Sequence, residues 1–548
     1  MKFNVKKTIY VGLAFLMISM FWSLYDSLIG KILIDKFGLN QLWSGVVMAL
    51  DNMLALFLIP VFGALSDKSN HKKGRRTPFI VVGTVVAAFA FMSLTFSDNV
   101  QKSKIEAESQ IIEDYDVIYR TNADLELKKD FDEEDRLLIF SNWQGIQSNI
   151  ENEWQKLRDE SVISADEYAE YERDIIQPMD QILSDNQITD TEGDELREIF
   201  NHHANERAKV ITLNSPGTFI VFLLTLFVAL LAMQSFRSPA VALMPDVTVK
   251  PLRSKANAII NLMGTIGALI AITTTMVYGL SQHSFVNYTP AFITVGVIML
   301  IILGIFLWKV KEPELVAERL ANEVKYGIVD EDPDHKDLSH EEKAELSRSK
   351  KISLILILVS VTLWFFGYNA VTTKLSDYAP KVLLMGFAIP NYIAYGSAAL
   401  AFIPIGILAT KIGRKKTILM GIVLLTICFG SVYFLTPDTS FIMYIIFAFT
   451  GIAWATINVN SYPMVVELSN ESNVGKYTGY YYTFSMAAQI ITPVFSGFLM
   501  DQFGRKILFP YAATFVAIAF VTMFFVKHGD VKIPKKGSLL ENFDVDMD

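Results

Sequence analysis

The sequence has few of the groups on which several protein classes depend. It contains one cysteine, Cys428, among 548 residues, so no intramolecular disulfide can form. No Cys/His spacing typical of a zinc site occurs, and no His/Ser/Asp constellation points to an enzyme. A filter-like repeat, which would indicate an ion channel, is also missing. We therefore expect no catalytic residues, no metal site and no cofactor.

The N-terminal segment has a basic start and an apolar run but no small-residue cleavage site, which favours an uncleaved first membrane span over a signal peptide. Hydrophobic residues make up 52% of the chain. Twelve apolar runs have the length of about 20 residues that crosses a hydrocarbon core about 30 Å thick. The runs lack period-two alternation, so they predict helices rather than a barrel. The predicted spans are 9–30, 44–65, 79–97, 217–245, 256–280, 290–309, 352–373, 385–410, 417–436, 441–466, 477–500 and 508–527.

The distribution of positive charge predicts the orientation of these spans. With both termini in the cytoplasm, the tails and loops on that side hold 29 Lys and Arg residues, whereas the short outer loops hold 6. This excess is the positive-inside bias. The sequence therefore predicts spans 1–3 in 1–97, an extracellular insert in 98–216, spans 4–6 in 217–309, a cytoplasmic linker in 310–351, spans 7–12 in 352–527 and a cytoplasmic tail in 528–548.

The insert is strongly acidic. Residues 98–213 hold 30 Asp and Glu against 12 Lys and Arg, a net charge of −18. Apolar residues nevertheless recur in it, so we expect a few amphipathic helices packed as a small extracellular cap. Segment 185–198 lacks the spacing of a calcium-binding loop and is interpreted as a solvated acidic surface. The first apolar set, at helical spacing, comprises Ile111, Ile112, Tyr115, Ile118 and Tyr119. The second comprises Leu137, Leu138, Phe140, Trp143, Trp154 and Leu157.

The two sets of six spans have similar loops and similar charged span ends at corresponding positions. The loop GALSDKSNHKKGRRTPFI (63–80) follows the second span, and GILATKIGRKKTI (406–418) follows the eighth. The fourth span ends near Asp246 and the tenth near Glu467. Such a repeat is typical of a duplicated transporter with its substrate site between the halves, near the middle of the membrane.

The loop after the second span resembles the signature of the major facilitator superfamily through Gly63, Asp67, Gly74, Arg75 and Arg76. Segments 50–67, 253–271 and 364–379 more narrowly resemble bacterial members of the sucrose-transporter-like branch, the glycoside-pentoside-hexuronide:cation symporters. The sequence departs from the signature in two ways. Its loop is longer, and Thr410 stands in the second copy where the first has Asp67.

The resemblance implies that charges at the cytoplasmic ends of the spans pair when that side is shut. Such pairs lose water only when packed, so they favour one conformation over another. We interpret them as a cytoplasmic gate; the alternative is a static anchor of the topology. The predicted gate comprises Asp67, Arg75, Arg76, Asp246, Arg414, Lys415 and Glu467.

Asp26, Asp51 and Arg237 are charged residues inside predicted spans. Each is costly in lipid unless it faces protein or water, and together they suit ion coupling. Either carboxylate, Asp51 or Asp26, is a candidate proton acceptor, with Arg237 as its partner or as a sugar contact. The alternative for Arg237 is a structural ion pair. Melibiose-type symporters bind their cation through acids of the second span, so sodium remains an alternative to the proton.

Sugar recognition needs hydrogen-bonding side chains and an aromatic face in a helix-lined cavity. The candidates are Trp22, Gln234, Asn257, Asn261, Trp364, Asn369, Asn458 and Gln489, with Trp454 and Asn391 in addition.

The sequence therefore predicts an all-α, twelve-span protein of the plasma membrane. It would act as a monomer and import a sugar, a di- or oligosaccharide glucoside, by proton symport with alternating access. No nucleic-acid partner is expected. The alternatives are a sodium-coupled symporter, an exporter of drugs or metabolites, and a sensor or adhesion protein that works through the acidic cap.

Overall fold

All regular secondary structure in the described part of the chain is helical. The computed structural model describes residues 4–109, 133–184, 188, 190–249, 253–280, 286–326, 348–468 and 474–529. Eleven helices within these ranges are long and apolar enough to cross a membrane. A further helix, Ala388–Ile412, occupies the position of the eighth predicted span. The predicted all-α fold with twelve membrane helices is confirmed.

The first half consists of six membrane helices: α1 (Val5–Asp35), α2 (Gln41–Asp67), α3 (Thr77–Glu108), α8 (Gly217–Val247), α9 (Arg253–Val277) and α10 (Thr289–Lys309). The insert between α3 and α8 contains α4 (Glu133–Asp159), α5 (Ala165–Tyr171), a π-helical turn (Glu172–Ile176), α6 (Gln177–Ile182) and α7 (Asp190–Asn214). The linker after α10 contains α11 (Glu312–Tyr326).

The second half consists of α12 (Arg348–Val382), α13 (Ala388–Ile412), α14 (Arg414–Val432), α15 (Ile442–Val466), α16 (Val474–Phe503) and α17 (Leu508–Phe524). A short 3-10 turn, Pro437–Thr439, lies between α14 and α15, and another, Arg505–Ile507, precedes α17. We call the membrane face that carries the insert the insert side, and the face that carries α11 the linker side.

Local sequence accounts for several helix starts. The Asn40 side chain accepts a hydrogen bond of 2.9 Å from the Trp43 backbone N–H at the start of α2. Asn4 does the same for Lys7 at the start of α1, at 3.2 Å. These side chains satisfy N–H groups that have no partner within the helix. Pro78 lies in the first turn of α3, where its missing N–H costs nothing.

Both halves pack their helices in the same pattern. In the first half α1 packs against α9 and α10, α3 against α8 and α10, and α2 against α8. In the second half α12 packs against α16 and α17, α14 against α15 and α17, and α13 against α15. The halves meet where α2 packs against α16, α1 against α12 and α9 against α13. The duplication predicted from the loops is therefore also a duplication of packing.

The insert has its own apolar core, built by α4 to α7 and the π-helical turn. The first predicted apolar set, in 111–119, lies outside the described residues. Four of the six residues of the second set are buried in this core: Phe140, Trp143, Trp154 and Leu157. Leu137 and Leu138 are instead exposed, at 60% and 48%, because they lie on the opposite face of α4. Helix α3 continues to Glu108, beyond the predicted boundary at 97, so it extends from the membrane span into the insert.

A histidine lies in the centre of the insert core. His203 Nδ1 accepts a hydrogen bond of 3.1 Å from Trp154 Nε1, and it also contacts the Tyr171 hydroxyl. The rings of Trp154 and Tyr171 are stacked, with centroids 3.5 Å apart. Burial, assisted by the charge of Arg207, lowers the pKa of His203 to about 3. The imidazole is therefore neutral in the folded insert at neutral and mildly acidic pH.

We expect acidification to destabilise the insert. The unfolded imidazole titrates at 6.5, whereas folded His203 stays neutral down to about pH 3. The contribution of neutral His203 to the stability of the insert is therefore complete above pH 6.5. This contribution falls as the pH drops below that value and levels off below about pH 3. Two pH units below 6.5 correspond to a loss of about 2.7 kcal/mol. Amide hydrogen exchange of α4 and α7, corrected for the intrinsic pH dependence, measures this loss.

The matched control for this effect is the neighbouring residue His202, which is exposed. His203→Gln should remove the pH dependence, whereas His202→Gln should retain it. Equal protection of α4 and α7 at pH 7 and pH 4.5 in the unmodified protein would contradict the expectation.

Candidate substrate and coupling site

The three charged residues predicted inside the spans lie close together. Asp51 of α2 and Arg237 of α8 interact electrostatically, and Asp26 of α1 lies within electrostatic range of both. Asp51 is 9% exposed, and its Oδ1 accepts a hydrogen bond of 2.8 Å from Asn52 Nδ2. Three neighbouring helices thus place two carboxylates within electrostatic range of one guanidinium, although the residues are far apart in sequence.

Two predicted sugar contacts lie beside this cluster. The Arg237 guanidinium lies over the ring of Trp22, 5.9 Å from its centroid, within the range of a cation–π interaction. Gln234 is one helical turn before Arg237, and its Nε2 donates a hydrogen bond of 3.2 Å to the Asp51 carbonyl oxygen. Trp22 therefore lies against the guanidinium of Arg237, and Gln234 contacts the backbone of Asp51.

Aromatic residues of the second half face this cluster. Tyr368 of α12 and Trp454 of α15 are stacked, with ring centroids 3.6 Å apart and planes inclined by 4°. Tyr368 and Tyr395 of α13 both lie within electrostatic range of Asp26, and Tyr482 of α16 lies within range of Arg237. The site is thus completed from the second half. Trp454 was predicted from the sequence as a sugar contact, but these tyrosines were not, because tyrosine is also common at membrane interfaces.

Three polar atoms around the site have no hydrogen-bond partner among the described residues. They are Trp22 Nε1, Gln234 Oε1 and Asn369 Nδ2, and all three are buried. Asn369 follows Tyr368 directly on α12. Buried polar atoms normally have partners because an unpaired one costs roughly 1–3 kcal/mol. Trp22 Nε1 and Asn369 Nδ2 are thus unpaired donors, and Gln234 Oε1 is an unpaired acceptor, beside the charged cluster and the stacked rings.

The other predicted sugar contacts differ in their placement. Trp364 is 1% exposed and packs within the apolar core, so its position favours a packing role. Asn458 is exposed one helical turn beyond Trp454, and Asn261 is exposed on α9. Gln489 is half-buried and donates a hydrogen bond of 3.4 Å to the Ser485 carbonyl oxygen of its own helix.

Two further predicted residues add little to the site. Asn391 is half-buried near the insert-side start of α13. The side chain of Asn257 lies outside the described residues.

The linker-side charges of the first half form one cluster. Arg76 is buried and pairs with Asp246 at 2.8 Å and with Asp67. Arg75 is more exposed and pairs with Asp246 at 2.6 Å, and the hydrogen bonds from that carboxylate raise the pKa of the Arg75 guanidinium. The predicted residues of the first half are thus brought together around two arginines.

Glu312 of α11 belongs to the same cluster and was missed by the sequence analysis. Its carboxylate accepts hydrogen bonds from the backbone N–H groups of Arg76, at 3.0 Å, and Thr77, at 2.8 Å. It also accepts a bond of 2.7 Å from the Thr77 hydroxyl. Glu312 therefore caps the start of α3, a helix whose own N-cap residue provides no side-chain hydrogen bond.

The second half contains part of the same arrangement. Arg414 is 1% exposed and pairs with Glu467 at 3.1 Å. Lys415 instead donates hydrogen bonds to the carbonyl oxygens of Phe524 and Val526, at 2.8 and 2.5 Å, at the end of α17. Each of these pairs lies within one half, so it ties the helix ends of that half together and does not itself bridge the halves.

A second charge network connects the halves on the insert side, and the sequence analysis did not propose it. Lys381 of α12 pairs with Asp35 of α1 and with Asp377, both at 2.6 Å. Arg505 pairs with Asp377 at 2.8 Å. The insert-side network comprises Asp35, Gln41, Lys374, Asp377, Lys381, Asp501 and Arg505.

Gln41 is the point at which three of these residues converge. Its Nε2 donates a hydrogen bond of 2.6 Å to Asp377, and its backbone N–H donates one of 2.8 Å to Asp501. Its carbonyl oxygen accepts a hydrogen bond of 2.8 Å from Lys374 Nζ. These three partners lie in the second half, whereas Gln41 begins α2 of the first. The i,i+4 pairs Lys31/Asp35 and Asp377/Lys381 were the only local signal for this network in the sequence.

Two glycines bring α2 and α16 into close approach beside this network. A Cβ atom on Gly45 would lie 2.1 Å from the Pro493 carbonyl oxygen, and one on Gly497 would lie 2.2 Å from the Gln41 carbonyl oxygen. No side chain fits at either position. The backbones are therefore in contact, and the interface between the halves is closed on the insert side.

Asn458 and Tyr482 are exposed on the linker side of this closed interface. Within the described ranges, no group of three or more His, Cys, Asp or Glu residues could hold a metal ion.

Comparison with protein families decides the affiliation of the chain. Residues 210–403 and 389–540 match the Major Facilitator Superfamily, and residues 10–111 match the MFS/sugar transport protein family. The chain belongs to the Major Facilitator Superfamily. It is therefore a multi-pass membrane transporter, as the repeated loops predicted, and not an enzyme.

Two curated relatives match parts of this superfamily member. An uncharacterized MFS-type transporter of Methanocaldococcus jannaschii is 26% identical over 183 residues, which are 32% of this chain and 45% of that protein. The sucrose transport protein SUC4 of Arabidopsis thaliana is 34% identical over 71 residues, 13% of this chain and 14% of that protein. The chain thus spans less than half of either relative. The predicted resemblance to the superfamily and its sucrose-transporting members is confirmed.

Solved structures match nearly the whole length. A D-xylose-proton symporter has a TM-score of 0.55 at 13% identity, covering 95% of this chain and 98% of its own. The xylose transporter XylE from E. coli, in an inward open conformation, gives 0.52 at 13% identity and covers 98% of both chains. At such identities the likeness shows the fold alone.

Proposed function

We propose that this transporter imports a sugar, a di- or oligosaccharide glucoside, by proton symport through alternating access. The observation that carries the proposal is the cluster of Asp26, Asp51 and Arg237, which faces the stacked pair Tyr368 and Trp454 across the interface between the halves.

The chemistry of this space suits a sugar. Aromatic faces pack against the C–H face of a pyranose ring, and Trp454 and Tyr368 provide such a surface. Hydroxyl groups both donate and accept hydrogen bonds, which matches the unpaired atoms of Trp22, Gln234 and Asn369. A large apolar cavity would instead favour a drug exporter. The match to a sucrose transport protein supports the same substrate class.

The charges suit proton coupling. Protonation of Asp51 removes one of the two carboxylates that interact with Arg237, so the guanidinium gains freedom to bind substrate oxygen atoms. A sugar and a proton that favour the same conformation then bind cooperatively. A difference of a few kcal/mol between the binding free energies of the ligand in the two conformations is enough to shift the equilibrium between the conformation open to the insert side and the one open to the linker side.

We further propose that the linker side is cytoplasmic and the insert side extracellular, in the plasma membrane. The linker-side clusters around Arg76 and Arg414 would hold the helix ends of each half together, so that each half moves as a body. One chain contains the whole site, which supports a functional monomer.

Sugar-driven proton movement in proteoliposomes tests the proposal. Purified protein is reconstituted, a panel of glucosides, galactosides and sucrose is added outside, and the external and lumenal pH are recorded. We expect alkalinisation of the external medium with at least one glucoside. Uptake that requires sodium without a pH change would replace the proton by sodium in the mechanism. The absence of both uptake and pH change with every sugar and both ions would overturn the proposed substrate class.

A further inference from the structure

The insert is fixed to the first half of the transporter. Arg207 of α7 is 2% exposed and forms an ion pair with Glu153 of α4 at 2.7 Å. It also donates a hydrogen bond of 2.9 Å to the Glu108 carbonyl oxygen at the end of α3. Gln101 of α3 donates a hydrogen bond of 2.9 Å to the Thr212 hydroxyl of α7. Because α7 is followed within three residues by the membrane helix α8, the insert and the first half are joined covalently and by buried polar contacts.

The same helix also reaches the second half. Glu198 Oε2 accepts a hydrogen bond of 2.8 Å from Arg505 Nη1, and α7 contacts α12 as well. Arg505 uses its Nε to pair with Asp377. One guanidinium therefore holds a carboxylate of the insert and a carboxylate of the insert-side network together.

This contact depends on how the halves are arranged. Glu198 belongs to the body that contains α1, α3 and α8, whereas Arg505 belongs to the body that contains α12 and α17. Any movement that separates the halves on the insert side must also separate these two side chains, because neither is carried by the other's body. A contact made in one state and lost in the other shifts the equilibrium towards the first.

We propose that the insert is a clasp which stabilises the insert-side-closed state through the Glu198–Arg505 ion pair. This inference rests on the proposed alternation between two openings, but not on the identity of the sugar or the ion. It assigns to the insert an effect on the conformational equilibrium of the transporter. Glu198 is 38% exposed, so the pair is partly screened and its contribution is modest.

The test is a distance measurement on the full chain in lipid nanodiscs. Because Cys428 is the only cysteine, a Cys428→Ser background allows spin labels at Glu170→Cys in the insert and Asp438→Cys between α14 and α15. Both labelled positions are exposed. Electron–electron distance distributions then report the separation of the insert from the second half, with no need for a known substrate.

We expect Glu198→Gln and Glu198→Ala to raise the ratio of long to short distances about threefold, as loss of a partly exposed pair predicts. The matched control is Glu206→Gln, since Glu206 lies on the same helix and, among the described residues, its ion pair is with Lys209 of that helix, at 2.9 Å. This variant should give the distribution of the unmodified protein. Unchanged melting temperatures in all variants verify that each one is folded.

Asp35→Asn separates failure of this inference from failure of the proposed function, because it removes an ion pair that joins the two halves directly. If Asp35→Asn lengthens the distances and both Glu198 variants do not, the clasp is overturned while the alternation stands. If no variant lengthens them, neither ion pair holds the halves together and the clasp is overturned, whereas the proteoliposome pH assay tests the proposed transport independently. A shift in Glu206→Gln equal to that in Glu198→Gln would likewise overturn the specific pair.

Discussion

Asp51→Asn is expected to abolish sugar-driven proton movement while sugar exchange across the membrane continues. Asparagine has nearly the shape of the protonated carboxyl group but cannot release a proton, so the variant is held in the protonated form of the cycle. Net proton-coupled uptake should therefore fall by about 100-fold or more, whereas exchange of labelled for unlabelled sugar should remain.

The measurement uses the proteoliposome pH assay together with counterflow of labelled sugar. Asp438→Asn is the matched control, since Asp438 lies in an exposed turn outside the membrane helices, and it should behave like the unmodified protein. Asp26→Asn distinguishes the two candidate acceptors. Full proton coupling in Asp51→Asn, with loss of coupling in Asp26→Asn, would transfer the role to Asp26. Full coupling in both variants would refute carboxylate-based coupling at this site.

Gly497→Leu is expected to prevent closure on the insert side. The new Cβ would lie 2.2 Å from the Gln41 carbonyl oxygen, and this backbone oxygen cannot move aside as a flexible side chain would. Helices α2 and α16 must therefore separate, and the contacts of Gln41 with the second half weaken with them. We expect net sugar uptake to fall by at least about tenfold, because an overpacked interface costs on the order of 1–3 kcal/mol.

The spin-label pair in the insert and between α14 and α15 measures the same variant directly, as a shift to longer distances. Gly430→Leu is the control, since a Cβ atom on Gly430 meets nothing within 4 Å. Leucine is also a better helix former than glycine, so a defect confined to Gly497→Leu reports the interface and not the helix. Unimpaired uptake and unchanged distances in Gly497→Leu would show that the close approach of α2 and α16 is dispensable.

The site could be predicted in part from the sequence because charges inside apolar runs are conspicuous. Asp26, Asp51 and Arg237 were singled out by their cost in lipid, and the structure places all three together. The stacked pair of Tyr368 and Trp454 was harder to predict. Aromatic residues are common throughout membrane helices, and the 4° inclination between these two rings depends on how α12 packs against α15.

The two charge networks also differ in whether they could be predicted from the sequence. The linker-side cluster around Arg75 and Arg76 could be predicted because its members occupy recognisable loops that recur in both halves. The insert-side network could not, because its main pair joins Asp35 to Lys381, 346 positions along the chain. No periodicity or motif links two residues at that separation. Only the packing of one half against the other makes them neighbours.

The sequence by itself determined the class of this protein. Twelve apolar runs must become helices because lipid leaves a backbone N–H or C=O no other partner, and the repeated loops indicate two similar halves of a transporter. The tertiary structure decided which ends of the halves are in contact. That choice depends on close backbone approach at Gly45 and Gly497 and on ion pairs between distant residues, and these interactions arise only when both halves and the insert are assembled.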